Sequence, residues 1–512
     1  MRQKHFLYSA ATLLLSSCML FSSCSDDDNT IPTPPDNEST NEDKRVTTEE
    51  IYWANHFAKN TLNLYYYWNT KIAGDLKKLD EDKNTNPIKT VDEIKYHEGN
   101  TEVDKWTMLI NDMKKFESGV SGVSTTFGYQ LIPYLMSEGS DEVVAAIGFV
   151  YKGSPAEKAG LKRGDIIYKL DGKAITKQSI NKLYSEGSIN FSIAKAEFEG
   201  NNVLLVPSKE NITLNAIEMY EDPVLLDSIY EFNGKKVGYL AYSSFDLKSV
   251  PKLIEVSKKF KAEGINEMIL DLRYNGGGYV FTENVMASMY APEAVVAQKK
   301  TFEKEDYNSN LTKVFIQNGQ STVTKFSTTH NMYNESHELV ASYDTKTANI
   351  GVGKIYGLVT NYSASASEAL LGGLMPYMDI ELVGIPTHGK YCTGWMLTPK
   401  DVYKKAPEVI NNWGMYVMVS IYQNAKGETP CMPNGMQPDI KVRDNPLMAT
   451  QLGDTNEVML KAALQSAGKV YKESGNGSRA AALDLLKPIE GPHKANFGKR
   501  ILLPSQLPLI DE

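Results

Sequence analysis

The sequence predicts a multi-domain α+β protein in which a helical N-terminal domain, a β-rich module and a larger α/β domain follow one another. Apolar residues recur at helical spacing from Ile51 to Ala58, which predicts helices near the N-terminus. A short helix signal stands among strand signals at 146–172, and from residue 236 onward strands alternate with helices. With 512 residues, of which 42% are hydrophobic, the chain has room for about three domains with apolar cores.

The first residues of the chain carry export signals. The basic segment Met1–Lys4 precedes the apolar stretch Phe6–Leu15, which is too short for a membrane span and is typical of a signal peptide. Cys18 and Cys24 each end a segment that resembles a lipobox, and the aspartates after Cys24 resemble the surface-export signal of Bacteroidetes-type lipoproteins. We therefore expect a signal peptide over 1–24 and lipidation of Cys24, with Cys18 as the alternative. The resemblance implies an outer-membrane lipoprotein of the cell envelope, anchored in the membrane by its lipid.

A tether and a helical domain follow. Residues 25–45 contain almost no apolar side chain beyond Ile31 and predict a disordered tether. The helical domain is predicted over 46–118, and its aromatic run Leu64–Trp68 is more typical of a core than of a binding site.

The β-rich module is predicted over 119–215. Ser154 and Pro155 begin a short helix, and after a glycine turn the chain enters the strand Ile166–Leu170. This segment resembles a bacterial PDZ domain. The resemblance implies a sheet edge that takes an extended peptide as an additional strand and a loop of N–H groups that receives the peptide's C-terminal carboxylate. By its place ahead of these strands, the candidate carboxylate loop consists of Phe127, Gly128, Tyr129, Gln130 and Leu131.

The α/β domain is predicted over 216–465, and a serine and a lysine are its most informative residues. A strand-like segment at 355–360 leads through small residues to Ser365, and Ala366–Leu374 predicts a helix. A serine at such a turn lies beside free backbone N–H groups, which favour a nucleophile and an oxyanion. A second short strand precedes Lys390 and returns it to the same end of the sheet. Because lysine accepts a proton only when it is neutral, the pair predicts a buried Lys390.

Three motifs of this domain resemble the C-terminal processing peptidases, the tail-specific serine proteases. They are Ser363–Glu368, Thr387–Lys390 and Asp271–Gly278, and the resemblance extends over about 104–465. It implies a crotonase-like ββα catalytic domain, a Ser365–Lys390 dyad, and an oxyanion hole formed by the N–H groups of Gly277 and Ala366. The implied reaction is the hydrolysis of proteins or peptides with free C-termini, without a cofactor or a metal.

The sequence departs from the family pattern around the lysine. His388 stands where the family usually has phenylalanine, Gly394 replaces a frequent glutamine, and Pro376 replaces a usual aspartate. The side chain that orients Lys390 is therefore open, with Ser367 and Tyr391 as candidates. His388 also raises the alternative of a serine–histidine triad.

Further expectations concern the two remaining cysteines, the partners, the end of the chain and an alternative function. Cys392 and Cys431 form either a disulfide, which an oxidising compartment permits, or a pair of free thiols. The chain has a net charge of −9 and no stripe of basic residues, so we do not expect nucleic acid as a partner. The oligomeric state is open. The residues 466–512 form a C-terminal extension. The alternative function is an inactive surface lipoprotein that binds peptides through its PDZ domain.

Overall fold

The computed structural model describes residues 45–184, 187–199, 202–334, 338–471, 486–489 and 497–502. The predicted signal peptide and nearly all of the tether, with Cys18 and Cys24, lie outside the described residues. Within these ranges, no helix combines the length and the apolar character that a membrane span requires. The same ranges contain no group of three or more His, Cys, Asp or Glu side chains arranged to hold a metal ion.

The helices and strands of the described residues are numbered in chain order. The α-helices are α1 (Glu49–Tyr65), α2 (Asn69–Ile72), α3 (Pro87–Ile94), α4 (Met113–Val120), α5 (Pro155–Lys158), α6 (Val250–Ala262), α7 (Val280–Tyr290), α8 (Glu293–Ala297), α9 (Ser309–Gln317), α10 (Ala366–Leu374), α11 (Pro399–Val402) and α12 (Val458–Ser466). Short 3₁₀ helices lie at Leu76–Lys78, Ile180–Tyr184, Glu408–Ile410 and Pro446–Met448. The strands are β1 (His97–Glu98), β2 (Thr101–Glu102), β3 (Met108–Ile110), β4 (Val123–Thr126), β5 (Tyr129–Leu135), β6 (Glu142–Val150), β7 (Ile166–Leu170), β8 (Lys173–Thr176), β9 (Ser188–Glu199), β10 (Asn202–Asn215), β11 (Ile217–Tyr220), β12 (Val224–Phe232), β13 (Lys235–Tyr242), β14 (Glu267–Asp271), β15 (Gly277–Tyr279), β16 (Thr301–Tyr307), β17 (Val323–Lys325), β18 (Thr329–Tyr333), β19 (Leu339–Asp344), β20 (Lys354–Val359), β21 (Asp379–Gly384), β22 (Cys392–Leu397), β23 (Gly414–Asn424), β24 (Ile440–Lys441) and β25 (Lys499–Ile501).

The N-terminal helices share a core with the large domain. Helix α1 begins at the cap residue Thr48, whose hydroxyl accepts the Ile51 N–H at 3.3 Å. Its buried face, which includes Trp53 and Phe57, belongs to the same apolar cluster as β23, and β3 adds to β23 as an antiparallel strand. The predicted helical segment is therefore packed into the large domain rather than built on a core of its own.

The β-rich module has a separate core. Its strands form a six-stranded sheet in the order β10-β9-β7-β8-β6-β5, and its core contains Phe127, Ile147 and Phe191. The predicted helix begins at Pro155, where the Ser154 hydroxyl accepts the N–H of Glu157 at 3.1 Å. The predicted strand at 166–170 is present with the same bounds.

The first sheet of the large domain brings the predicted turns together. Its strand order is β12-β13-β14-β20-β21-β24, and every pair from β13 onward is parallel. Helix α6 connects β13 to β14, and α10 connects β20 to β21. Because β14 and β20 are adjacent and parallel, the glycine turn after β14 and the Ser365 turn after β20 lie side by side at one edge.

The second sheet of the large domain contains a strand from the C-terminal extension. The strand order is β15-β25-β22-β23-β16-β17, so β25 lies between the strand of the glycine turn and the strand that follows Lys390. The sequence analysis assigned no structure to this part of the extension. The predicted multi-domain α+β class is confirmed.

Buried arginines join the module to the large domain. The guanidinium of Arg163, in the module, donates to Tyr274 Oη at 2.7 Å and to Asp444 Oδ1 at 2.5 Å. Arg273 donates to the same carboxylate at 2.8 Å. Burial alone would raise the pKa of Asp444. The charges of the two arginines nevertheless hold that pKa well below its usual range. This contact places the module directly beside Tyr274, within the turn that leads to the glycines.

Candidate active site

Ser365 lies on the turn between β20 and α10 in a backbone conformation that residues other than glycine rarely adopt. Its φ is 65° and its ψ is −114°. Neighbouring hydroxyls hold the turn, since Ser363 Oγ donates to Leu272 O at 2.8 Å and Ser367 Oγ donates to Asn275 O at 2.9 Å. A strained residue of this kind costs on the order of 1–3 kcal/mol and occurs mainly at functional turns.

The glycine turn packs on the serine. Gly277 has a φ of 105°, and a Cβ at this position would lie 2.8 Å from Cβ of Ser365 and would collide with the carbonyl oxygen of Lys499. Glycine is therefore required for this close approach of the two turns. The Gly277 N–H donates to Asn275 Oδ1 at 2.9 Å, whereas the N–H of Ala366 opens helix α10 and has no acceptor within that helix. Of the two predicted oxyanion donors, the Ala366 N–H follows Ser365 in the chain, and the Gly277 N–H, on the turn that packs against Ser365, is engaged by a side chain.

Ser365 and Lys390 share one buried site, but no hydrogen bond joins them. Both have an exposed fraction of 0%, and Ser365 Oγ has no hydrogen-bond partner among the described residues. Lys390 Nζ donates to the carbonyl oxygen of Cys392 at 2.7 Å. It also lies 3.4 Å from Met418 Sδ and 3.5 Å from Tyr416 Oη. The predicted burial of Lys390 is confirmed, while the serine and the lysine are not engaged with each other.

The surroundings of Lys390 disfavour its charged form. Burial lowers the pKa of Lys390, and in the described part of the chain no carboxylate accepts a hydrogen bond from Nζ. The rings of Trp106 and Tyr416, 5.1 Å and 5.6 Å from Nζ, favour the cation, but burial outweighs them in its effect on the pKa. Burial also raises the pKa of the Cys392 thiol to about 12, so this neighbour carries no charge at neutral pH. A lysine in such surroundings is suited to act as a base.

Glu368 connects the turn of the serine to the loop of the lysine. Its Oε2 accepts the backbone N–H groups of Ser365 and Lys390 at 2.8 Å and 2.9 Å. Its Oε1 accepts the Gly389 N–H at 2.7 Å and the Thr387 hydroxyl at 2.5 Å. Burial raises the pKa of Glu368 to about 7, although all four donors favour the ionised carboxylate. The sequence analysis missed this role, for which the available signal was the Ser-x-x-Glu spacing of a capping box.

The two candidate side chains for orienting Lys390 make contacts elsewhere. Neither Ser367 nor Tyr391 forms a hydrogen bond with Nζ among the described residues, because Ser367 is bound to Asn275 and the ring of Tyr391 packs on Trp106 at 5.9 Å. The partners of Nζ, which the sequence left open, come instead from β22 and β23.

His388 does not form a triad with the serine in this structure. Its backbone N–H donates to Ser363 O at 3.0 Å, and its ring packs edge to face on Phe497 with 5.0 Å between centroids. The unpaired Oγ of Ser365 has no bond to the imidazole.

The N-terminal domain contributes to the lysine pocket. Asp104 Oδ1 accepts the N–H groups of Trp106 and Thr107 at 2.9 Å and 3.0 Å, and this turn aims the indole at Lys390. The Thr107 hydroxyl accepts the Met418 N–H at 3.1 Å, which fixes the turn to β23. The sequence resemblance included this segment without indicating its contact with the lysine.

The predicted disulfide is corrected by the structure. Cys392 and Cys431 are free, buried thiols. Cys431 Sγ lies 2.9 Å from Tyr422 Oη, whereas Cys392 Sγ lies 3.8 Å from Lys390 Nζ. Each sulfur packs against a different partner, and the alternative of two free thiols therefore holds.

The candidate carboxylate loop of the module is closed. Phe127 and Tyr129 are buried in the module core, and the Gly128 N–H donates to Thr126 Oγ1 at 3.0 Å. Gly128 has a φ of 82°, and a Cβ there would collide with Ser154, which shows how tightly the loop is packed. The other residues of the predicted loop lie in β5. In the structure the side chains of Phe127, Tyr129 and Leu131 face the core and the Gly128 N–H has an acceptor, while the role of this segment in binding a carboxylate stays a prediction.

Two family models match the chain in the regions described above. Residues 236–442 match the model of peptidase family S41, and residues 147–185 match a PDZ domain. The chain carries a peptidase family S41 domain. This S41 domain contains Ser365, Glu368, Lys390 and the glycine turn. The matches confirm the resemblance that the sequence motifs indicated.

Similar proteins agree with these two domains. A carboxyl-terminal-processing protease of Picosynechococcus is 25% identical over 324 residues, which cover 61% of this chain and 64% of that protein. A CtpA-like serine protease of Staphylococcus aureus is 25% identical over 353 residues, which cover 64% of this chain and 61% of that protein. The chain thus spans less than two thirds of the length of these relatives.

A solved structure shares the fold. The crystal structure of an S41 protease of Bacteroides fragilis has 21% sequence identity and a TM-score of 0.62, and the match covers 81% of this chain and 98% of that one.

Proposed function

We propose that this protein is a serine endopeptidase that hydrolyses protein or peptide substrates with Ser365 as nucleophile and Lys390 as base. The observation that carries the proposal is one buried site in which a strained serine lies against a glycine turn, beside a lysine of lowered pKa. The S41 match over 236–442 supports it, since all of these residues lie within that range.

The reaction requires two of the hydrogen bonds seen here to be exchanged. Lys390 Nζ must leave the carbonyl of Cys392 and accept the proton of Ser365 as Oγ attacks the substrate carbonyl carbon. The Gly277 N–H must exchange Asn275 Oδ1 for the oxyanion, which the Ala366 N–H also binds. Lys390 then donates the proton to the leaving amine as the C–N bond breaks. Finally it deprotonates the water that hydrolyses the acyl-enzyme.

Hydrolysis of an unfolded protein by the full chain tests the proposal. Ser365→Ala should lower the rate by about 10³-fold or more, because the attacking atom is lost. Ser137→Ala, at an exposed serine of the module, is the matched control and should keep the wild-type rate. Turnover by Ser365→Ala at the wild-type rate would contradict the assignment. A folded wild-type protein without hydrolysis would favour the inactive peptide-binding alternative.

We further propose that the PDZ domain captures the free C-terminus of the substrate. The support is β5, an edge strand of the module that can pair with an extended peptide. In the same assay, two substrates that differ only in their last residues should be cleaved at different rates. Indifference to the C-terminal residues would contradict this role.

The proposed location is the outer membrane, through a lipid on Cys24. The support is the lipobox-like segment followed by aspartates, which lies outside the described residues. Cys24→Ala should abolish incorporation of labelled fatty acid in cells, while Cys18→Ala should keep it. The reverse pattern would assign the anchor to Cys18.

A further inference from the structure

The strand β25 lies over the proposed active site. It pairs in parallel with β15, the strand of the glycine turn, and the Gly498 N–H donates to Gly276 O at 2.8 Å. On its other side, the Leu502 N–H donates to Gly394 O at 3.1 Å. The segment 497–502 is therefore an extended peptide held between two strands of the S41 domain.

This segment buries the nucleophile. The carbonyl oxygen of Lys499 lies against Gly277, next to Cβ of Ser365, and a Cβ on Gly498 would lie 3.8 Å from Cδ of Lys390. A substrate carbonyl has to come within roughly 3–3.5 Å of the attacking oxygen. Ser365 and Lys390 have an exposed fraction of 0%, so a substrate gains access only when part of their surroundings moves, and this segment is one of the elements that lie against them.

Arg500, the residue after Lys499 in this segment, fills an acidic pocket. Its guanidinium donates to Glu283 at 2.9 Å and 3.0 Å and also bonds to Glu303 and Glu305. Three carboxylates thus surround one cation, all of them buried, and Glu303 Oε1 has no hydrogen-bond partner among the described residues. Burial raises the pKa of Glu283 and of Glu303. Such a pocket favours a planar cation that several carboxylates can share, which is the chemistry of arginine.

A second part of the C-terminal extension lies on the PDZ domain. The Leu135 N–H donates to Lys487 O at 3.1 Å, and the Ile489 N–H donates to Pro133 O at 3.0 Å. These bonds add residues 486–489 to the edge of β5, antiparallel to it. Two stretches of the same extension therefore occupy the PDZ sheet edge and the space above Ser365, the two places where a substrate peptide would bind.

We propose that residues 497–502 occupy the substrate site as the protein's own bound peptide, and that Glu283, Glu303 and Glu305 form a subsite for an arginine side chain. This inference rests on the proposed peptidase function, because it assigns a substrate class to the same site. The resting protein is then covered, and a substrate that carries arginine at the matching position displaces the segment.

Peptide binding to the full chain tests the arginine subsite. Arg500→Gln removes the internal guanidinium, and a fluorescent peptide with the sequence of residues 497–502 should then bind, as measured by anisotropy. The same peptide with citrulline in place of arginine should bind about a hundredfold more weakly, because it leaves the buried carboxylates without a cation. Equal affinity of the two peptides would overturn the subsite. Lys354→Gln, which removes a cation from the ion pair with Glu381 far from the pocket, is the control chain and should bind neither peptide.

Hydrogen exchange of the wild-type chain tests the cover without a variant that could fail to fold. The amides of Arg500 and Ile501 should exchange about tenfold faster than those of Val417 and Val419 in β23, because the segment opens without unfolding the sheet. Exchange at the same rate as β23 would make β25 an integral strand and overturn the proposal.

Neither the peptide-binding readout nor the exchange readout depends on turnover. Hydrolysis without arginine-selective binding would refute the subsite alone, and arginine-selective binding without hydrolysis would refute the peptidase function alone.

Discussion

Replacing Lys390 with alanine should lower kcat/KM for an unfolded protein substrate by about 10²–10⁴-fold, the usual contribution of a general base. The physical reason is that Ser365 Oγ has no hydrogen-bond partner among the described residues, so no acceptor is in place to substitute for the lysine. Lys390→Met should show the same loss, because it keeps the volume of the side chain but removes the amine. Agreement between the two variants would separate the loss of the base from the loss of packing.

The controls for this prediction are stability and an unrelated lysine. Lys354→Ala, at the opposite end of the first sheet, should retain the wild-type rate. Both Lys390 variants should unfold cooperatively, since burial already lowers the pKa of the lysine and an uncharged residue fits the pocket. A Lys390→Met chain that is folded and as active as the wild type would remove lysine from the mechanism.

Replacing Glu368 with glutamine should lower kcat by about a hundredfold, because small displacements of reacting groups have effects of this size. Each carboxylate oxygen accepts two donors, and an amide NH₂ would meet two donors without an acceptor. Each buried donor left unpaired costs about 1–3 kcal/mol, so the turn of Ser365 or the loop of Lys390 must shift. KM should change little, since Glu368 is buried and acts on backbone rather than on substrate.

The pH profile separates this positioning role from general destabilisation. The pKa of Glu368 is raised to about 7, so the ionised acceptor is present above that pH and is lost as the pH falls through it. Wild-type kcat should therefore fall below about pH 7 partly through Glu368, and the Gln variant should lose this component. Glu267→Gln, which changes a carboxylate bound to Lys235 and Tyr356, is the matched control and should keep the wild-type profile. An unchanged kcat in Glu368→Gln would refute the role.

Local sequence signals predicted the elements around the serine well. The helix Ala366–Leu374 has the predicted bounds, and the strand ahead of it is present at Lys354–Val359. These elements depend on apolar runs and small turn residues that lie close together in the chain. The proximity of Gly277 to Ser365 could also be predicted, because adjacent parallel strands place their following turns at one edge.

The partners of the lysine could not be predicted in the same way. Trp106 comes from the N-terminal domain, and Tyr416 and Met418 come from β23, so their contact with Lys390 depends on how two sheets pack. Long-range packing of this kind leaves no periodic signal in the sequence.

The strand β25 was even harder to predict from the sequence. It has only three residues, Lys499–Ile501, and two of them are basic, which favours an exposed position. Its burial depends on Glu303 and Glu305 of β16 and on Glu283 of α7, which the fold brings to one point. A buried arginine of this kind becomes evident only when its three carboxylates are placed around it.

The most direct test of the central claim is the pH dependence of Ser365 labelling by a serine-reactive phosphonate in the full chain, located by mass spectrometry. We expect labelling at Ser365 whose rate rises with pH toward a plateau reached well below the usual pKa of lysine, about 10.4, since burial lowers the pKa of Lys390. In Lys390→Met, that rise should disappear and the rate should stay low. Labelling of Ser365 that is equally fast in both chains, with the same pH dependence, would contradict the Ser365–Lys390 mechanism.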